Sequence, residues 1–296
     1  MKQRKKLVSS LLLVLAALIW GTAFVAQRLG MTYAGPLTFN GVRCIIGALV
    51  LLPVALIFRP SAPKDGKKTL LAGFLCGLAL FAATNLQQIG LTTTDAGKTG
   101  FITTFYIVLV PVLGLFLRKK TGAATWLAVA IALGGLYCLC MKPGRMGVAS
   151  GDLLVLGCAF FFAVQILVID RFVQVVDGIM LSCIQFAVDG VLSLIVALIV
   201  EKPDFSMVFL GWGPLLYCGV LSCGVAYTCQ ILGQKNLHPT VASLLMSLES
   251  AFAVLGGWLI LHEKLSRREL LGCALMLAAV LLVQLAPAKK EKAAAA

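Results

Sequence analysis

Three ionisable side chains, Arg43, Asp189 and Glu249, lie inside apolar stretches of this chain of 296 residues. An ionisable group near the middle of a bilayer costs roughly 2.5–3.5 kcal/mol on insertion scales, so each must face a protein interior or water. Burial disfavours the charged form of Glu249, which could then take up a proton or hold a substrate amine; alternatively, it pairs with Arg43 or bonds to Ser247. Proton coupling and a structural role are both open for Asp189. Arg43 indicates a structural or gating ion pair first and an anionic substrate second.

Amide and hydroxyl side chains recur at helical spacing in several of these stretches. One predicted helix face carries, at intervals of three, four and four, Ser182, Gln185, Asp189 and Ser193. An equivalent face of an earlier stretch carries Asn40 and Arg43. The other polar candidates are Asn85, Gln87, Thr103, Tyr106, Gln165, Tyr227 and Gln230. Hydrogen bonding between helices, at around 0.6 kcal/mol each, explains any one of them, but the whole set predicts a polar, water-accessible cavity.

Two further residues are candidates through their shape. Trp20, like Tyr106, can stack on or cap a substrate, or it can simply pack against other helices. Pro111 removes a backbone hydrogen bond and so predicts a bend in its helix, either at a moving gate or as a static kink.

Ten apolar runs must position these residues. A helix rises about 1.5 Å per residue, so roughly 20 apolar residues cross a hydrocarbon core about 30 Å thick. The charged breaks predict spans at 9–28, 37–58, 70–90, 99–117, 123–141, 152–169, 179–200, 211–232, 240–261 and 270–286. Since 60% of residues are hydrophobic, 12% are charged and the loops are short, we predict one membrane domain without a soluble module. The first run is interpreted as a signal anchor, with a cleavable signal as the alternative.

Basic residues lie at the ends of the spans, which accounts for the net charge of +13 without a nucleic-acid partner. With the N-terminus in the cytoplasm, eleven basic residues of the first half face inward, and only Arg28 and Lys98 face outward. The positive-inside rule therefore predicts a multi-pass protein of the plasma (inner) membrane with both termini cytoplasmic.

Cysteine and histidine give no sign of a metal site or a cofactor. All ten cysteines fall inside predicted spans, where they serve as small hydrophobic residues. The two histidines, His238 and His262, stand alone without metal-ligand spacing.

The second half of the chain repeats the first. A shift of 143 positions superimposes Gln87 on Gln230, and a shift of 142 superimposes Arg43 on Gln185. Because each half has five spans, an odd number, the second half enters the membrane in the opposite sense, and the repeats are predicted to be inverted. A site between two such halves can open to either side in turn. The predicted parts are a basic N-terminus (1–8), a first repeat (9–141), a linker (142–151), a second repeat (152–286) and a tail (287–296).

These features resemble the drug/metabolite transporter superfamily, in its ten-span members built from two EamA repeats. The resemblance rests on Trp20-Gly21, Pro111, Leu248-Glu249-Ser250 and His262-Glu263-Lys264-Leu265-Ser266. The last segment is similar to the Gly-Glu-Arg/Lys-Leu-Ser signature, whereas the first half has Arg118-Lys119-Lys120-Thr121 at that place. The resemblance implies an all-α membrane protein in which spans one to four and six to nine surround a central cavity. Spans five and ten then lie outside it, facing lipid or forming a homodimer.

The expected function is secondary transport of a small polar metabolite such as an amino acid, outward, driven by a proton gradient or by downhill flux. A primary pump is excluded because no GxxxxGK[ST] run is present. A flippase for lipids or lipid-linked sugars would keep the same fold, and a channel is a further alternative. A membrane-embedded transferase needs clustered acidic or histidine residues, but the loop carboxylates are isolated.

Overall fold

A computed structural model describes residues 2–57, 65–94, 96–119, 121–140, 150–260 and 266–285. Throughout this part of the chain the regular structure is helical, without a β-strand. The helices of the first half are α1 (Lys2–Gly30), α2 (Pro36–Ile57), α3 (Gly66–Gly90), α4 (Ala96–Thr103), α5 (Tyr106–Phe116) and α6 (Ala123–Cys140). The second half has α7 (Ser150–Phe172), α8 (Gly178–Val200), α9 (Phe205–Leu210), α10 (Trp212–Leu216), a π-helical segment (Tyr217–Ala226), α11 (Tyr227–Gln234), α12 (Pro239–Met246), α13 (Glu249–Ile260) and α14 (Arg267–Leu285).

Length and composition make this an integral membrane protein. Seven of the described helical stretches are long and apolar enough to cross a bilayer, and three shorter apolar helices accompany them: Ala123–Cys138, Pro239–Leu255 and Leu270–Val283. Large apolar side chains such as Leu49, Phe116 and Ile199 are more than half exposed. Lipid is the environment that such side chains require. The predicted signature His262–Leu265 and the tail lie outside the described residues.

Short polar side chains begin several helices. The carboxylates of Asp65, Asp177 and Asp204 accept hydrogen bonds from the first backbone N–H groups of α3, α8 and α9. Hydrogen bonds from the backbone and side chain of Lys68 lower the pKa of Asp65. Glu201, at the end of α8, caps α2 instead: its carboxylate accepts from the backbone of Leu37 and Thr38, both at 2.8 Å.

Helices of the two halves pack against each other in matching sets. α2 packs on α8, and α6 packs on α14. α3 contacts both α7 and α8, while the π-helical segment contacts both α1 and α2. If the spans are exchanged one for six, two for seven and so on, each of these contacts maps onto itself or onto another observed contact. α6 and α14, the fifth and tenth spans, pack mainly on each other.

Glycine contacts repeat at a fixed offset. A Cβ on Gly77 would lie 2.6 Å from the Val188 Cβ, and a Cβ on Gly219 would lie 2.6 Å from the Ile46 side chain. Gly219 lies 142 positions after Gly77, and Val188 lies 142 positions after Ile46. Both contacts therefore need glycine for the same reason, the close approach of two helix backbones.

The offset changes from 142 to 143 further along the same spans. Gly90 packs on Val155, and Gly233 packs on Leu13. The two glycines lie 143 positions apart, although Leu13 and Val155 still lie 142 apart. Most of the π-helical segment, which includes Gly219 itself, lies between Gly219 and Gly233, whereas the equivalent part of α3 is an uninterrupted α-helix. A π-helix takes one more residue into each turn than an α-helix, so this segment absorbs a one-residue insertion and explains both offsets.

The fourth and ninth spans are broken at equivalent positions. α4 ends at Thr103 and α5 begins at Tyr106, while α12 ends at Met246 and α13 begins at Glu249. Both ends and both starts lie 143 positions apart. The two turns share a pattern of tight hydrogen bonds: Phe105 N donates to Ile102 O at 3.1 Å, and the equivalent Leu248 N donates to Leu245 O at 3.3 Å.

The break in the fourth span lies before Pro111, which was predicted to bend this span. Pro111 lies inside α5, and the chain leaves helical geometry before it, between Thr103 and Tyr106. The break in the ninth span has no proline in its turn. Pro111 is therefore not the point at which the fourth span is interrupted.

Candidate functional site

A cavity lies where the two halves meet. It is bounded by the first four and the sixth to ninth spans, and its volume is about 50 Å³ over the positions open to the centre of a water-sized molecule. Polar groups line this space, which takes several waters or a compact solute. Nine of the residues predicted from sequence line it: Trp20, Arg43, Gln87, Thr103, Tyr106, Gln165, Tyr227, Gln230 and Glu249.

Five predicted residues lie behind the cavity wall. Asn40, Asn85, Gln185 and Asp189 are buried in the hydrogen-bond networks described below. Ser247 is fully buried in the broken ninth span, where its hydroxyl donates to Leu244 O at 2.8 Å. Helical spacing identified their helix face correctly but could not show how far each side chain reaches.

Further lining residues were not singled out as site residues from sequence: Phe24, Gln27, Cys44, Thr84, Phe162, Ile166, Phe186, Ser222, Cys223 and Met246. Many are apolar and resemble ordinary packing residues. A signal was nevertheless present, because Trp20, Phe24 and Gln27 recur at intervals of four and three on one face of α1.

Arg43 and Asp189 are joined through the amide of Asn40. Arg43 donates from Nε and Nη2 to the Asn40 Oδ1, at 3.0 and 2.7 Å. The same amide donates from Nδ2 to the Asp189 Oδ1 at 3.1 Å. A guanidinium and a carboxylate thus balance each other across one fully buried amide.

The Asp189 carboxylate is closed off by further donors. Ser193 Oγ donates to its Oδ1 at 2.9 Å, and Thr84 Oγ1 donates to its Oδ2 at 3.0 Å. The thiol of Cys44 lies 3.4 Å from the same Oδ2. A buried carboxylate with this many donors is satisfied in place, which favours the structural role for Asp189.

Glutamine side chains form a second buried network. Gln230 Nε2 donates to Gln165 Oε1 at 3.0 Å, and Gln165 Nε2 donates to Gln185 Oε1 at 3.4 Å. Gln87 Nε2 donates to Thr103 Oγ1 at 3.0 Å, next to the break in the fourth span. The amides that line the cavity are thus held in position by other helices.

Glu249 is the first residue of α13 and is 6% exposed. Its Oε1 accepts one hydrogen bond, from the Tyr106 hydroxyl at 3.3 Å. Tyr106 and Glu249 lie 143 positions apart, so this bond joins equivalent positions of the two halves. In the described part of the chain, no basic side chain forms an ion pair with Glu249, and the expected alternative of a pair with Arg43 is not formed.

Aromatic rings form a row beside these polar groups. The rings of Trp20 and Tyr227 meet edge to face at 4.7 Å, and those of Tyr227 and Phe186 do so at 5.0 Å. All three residues line the cavity. Their contacts with each other fix the rings in place.

Several buried polar atoms of the cavity residues have no hydrogen-bond partner within the residues that the structure describes. They are Trp20 Nε1, Gln27 Oε1 and Gln230 Oε1. Buried polar groups are nearly always paired, so unpaired atoms at a cavity indicate a place for water or a bound solute. The part of the chain that the structure describes contains no cluster of three or more metal-ligating side chains.

Comparison with known proteins identifies one family over most of the chain. The model of the EamA-like transporter family matches twice, at residues 7–141 and 149–285. An uncharacterized transporter of Archaeoglobus fulgidus is 31% identical, over 95% of this chain and 87% of the relative. The uncharacterized transporter YwfM of Bacillus subtilis is 26% identical, over 98% of each chain. The uncharacterized inner membrane transporter YedA of Escherichia coli K12 is 28% identical, over 90% of this chain and 88% of the relative.

One solved crystal structure shares the fold. It superimposes with a TM-score of 0.79, at 18% identity, over 93% of this chain and 96% of the other. Two matches to one family model cover nearly the whole sequence, and the most similar relatives cited are named transporters. The chain is therefore a membrane transporter and belongs to the EamA-like transporter family of the drug/metabolite transporter superfamily.

Proposed function

We propose that the chain is a secondary transporter that moves a small polar metabolite, such as an amino acid, outward across the plasma membrane by alternating access. The observation that carries this proposal is the cavity between the halves, which combines an incompletely paired carboxylate with unpaired polar atoms. In a cavity, water or a solute can pair these groups, which otherwise cost stability when they are buried.

The proposed mechanism depends on two inverted repeats of five spans each. The matched helix contacts, the glycine contacts at offset 142 and the equivalent helix breaks at offset 143 support this arrangement. In such a fold the halves exchange conformations, and the cavity between them faces each side in turn. The broken spans four and nine, whose turns lie at the cavity, are the elements that we expect to bend.

The direction, orientation and coupling belong to the same proposal. Both termini lie in the cytoplasm, as the charge asymmetry of the first half predicts. Glu249 is the group that couples transport to protons, because it is a cavity carboxylate with a single weak partner. Asp189, with its donors in place, takes no part in coupling.

Solute binding to the purified full-length protein tests the proposal. Thermal unfolding in detergent is measured with amino acids, amines, sugars, nucleosides and lipid-linked sugars, and responding compounds are then tested for uptake into proteoliposomes. At about 100 times Kd, a bound solute should add about 2.7 kcal/mol of stability. A response confined to lipid-linked compounds would refute the proposal in favour of a flippase. The absence of any response or uptake would refute it outright.

A further inference from the structure

We infer that the solute bound in this cavity is a primary amine in its ammonium form and that Glu249 receives it. The inference rests on the proposed transport function and narrows its small polar metabolite to amines, with amino acids as weaker solutes. Four observations carry it: the pairing of the buried charges, the type of the unpaired atoms, the aromatic row and the size of the cavity.

The charges leave Glu249 as the unbalanced group. Arg43 is bound through two nitrogens to Asn40, which in turn holds Asp189, so this cation and this anion compensate each other. Among the described residues that line the cavity, Glu249 is then the carboxylate without a cation. An anionic solute would meet an additional negative charge there, whereas a cationic solute would neutralise it.

The unpaired atoms are mainly acceptors. Gln27 Oε1 and Gln230 Oε1 have no donor in the described residues, and the Glu249 carboxylate accepts from the Tyr106 hydroxyl. Trp20 Nε1 is the unpaired donor. A primary ammonium group has three N–H donors and no acceptor, which suits acceptors of this kind. A quaternary ammonium could neutralise Glu249 but would leave the amide oxygens unpaired.

The aromatic row supplies a second attraction for a cation. Trp20, Tyr227 and Phe186 line the same cavity as Glu249, and ring faces attract ammonium groups by about 0.5–2 kcal/mol, the higher value applying to desolvated sites. The space of about 50 Å³ for water-sized centres suits a small solute.

Arg43 also lines the cavity, and two of its N–H groups are bound to Asn40. Its positive charge is already balanced by Asp189 across that amide, so a solute carboxylate beside Glu249 would add an uncompensated negative charge. We therefore expect the cavity to prefer an amine over the amino acid with the same side chain.

Solutes that share one hydrocarbon body but carry different charged groups test this inference. Leucine, 3-methylbutylamine and 4-methylpentanoate share one body and carry a zwitterion, a cation and an anion; methylamine and 2-phenylethylamine extend the series in size. Binding to the full-length protein in detergent is measured by thermal unfolding at neutral pH. At least one amine is expected to bind about 10- to 100-fold more tightly than its zwitterionic and anionic counterparts, the range set by hydrogen bonds to charged groups.

Two variants separate binding from folding. Glu249→Gln keeps the shape and removes the charge, and it is expected to lose the amine response. Glu249→Asp keeps the charge and is expected to retain part of it. Size-exclusion profiles and the unfolding temperature without solute report whether each variant folds; if Glu249→Gln does not fold, the comparison of the solute series on the unaltered protein still decides.

Three outcomes would overturn the inference that the solute is a primary amine. Tighter binding of leucine or 4-methylpentanoate than of any amine would overturn the inference while leaving the transporter intact. So would a response to sugars or nucleosides alone. An amine response that Glu249→Gln fully retains would place the ammonium elsewhere and also overturn it.

Discussion

Deleting Leu221 is expected to leave the stability of the protein nearly unchanged, whereas deleting Leu78 is expected to lower it strongly. The two leucines lie 143 positions apart and are similarly exposed, at 38% and 39%. Leu221 lies in the π-helical segment, which holds one residue more than an α-helix needs. Its removal should turn that segment into an α-helix while Gly219 and Gly233 keep their partners. Leu78 lies in α3, which has no residue to spare.

The cost at Leu78 follows from the helix geometry. Removing one residue from an α-helix turns one flank relative to the other by about 100° and shifts it by about 1.5 Å. Thr84 would leave the Asp189 carboxylate, now 3.0 Å away, and Asn85 would leave Ser193, now at 2.7 Å. Each lost buried hydrogen bond costs about 1–3 kcal/mol, so the two cost about 2–6 kcal/mol. That is a large part of a total stability of about 5–15 kcal/mol.

Expression yield, size-exclusion profile and thermal unfolding in detergent of the two deletion variants measure this difference. The Leu221 deletion should run as a single peak and unfold near the temperature of the unaltered protein. Its solute response should nevertheless change, because Ser222 and Cys223 line the cavity from the π-helical segment. Equal loss of stability in both variants would refute the one-residue insertion.

Three substitutions extend the test of the structure through thermal unfolding of the purified protein. Asp189→Asn removes the charge held by Asn40 and should cost about 1.5–3 kcal/mol, the contribution of a hydrogen bond to a charged group; unchanged stability with lost amine binding would make Asp189 a binding residue instead. Glu201→Gln weakens the cap on the first turn of α2 and should cost about 0.5–2 kcal/mol, whereas no change would mean that water replaces the cap. Asp170→Asn removes a part-exposed ion pair with Lys119 and should change stability by less than about 1 kcal/mol, so a larger loss would assign this pair a structural role.

Most spans could be predicted from the sequence because apolar length is a direct physical requirement of the bilayer. The prediction 179–200 corresponds to Gly178–Val200, and 37–58 corresponds to Pro36–Ile57. The transporter assignment and the EamA family are confirmed. The breaks in spans four and nine were not predicted, because Thr104-Phe105 and Ser247-Leu248 are ordinary residues inside a membrane helix.

Part of the site was predicted from the sequence. The pattern could not show how far each side chain reaches or which helices contact each other. Trp20 and Glu249 line the cavity. Glu249 was selected as an ionisable group inside an apolar stretch, and Trp20 was selected for its shape. The bond from Arg43 to Asn40 could be anticipated from their spacing of three residues. The hydrogen bond from Asn40 on to Asp189 could not, because it joins two helices through residues that lie 149 positions apart in sequence. The π-helical segment explains why the repeat offset changes from 142 to 143. A change of one residue in the offset does not by itself predict a π-helix.

The hydrogen bond between Tyr106 and Glu249 also limits how alike the two halves can be. Under the proposed two-fold relation, residues at equivalent positions that touch each other lie on the axis, and these two do. With one residue type at both places, each side chain would face its own copy. Two glutamates there would repel each other, and two tyrosines would offer no charge. A single acid with a phenol that donates to it therefore requires the two halves to differ at this point, however similar they are elsewhere.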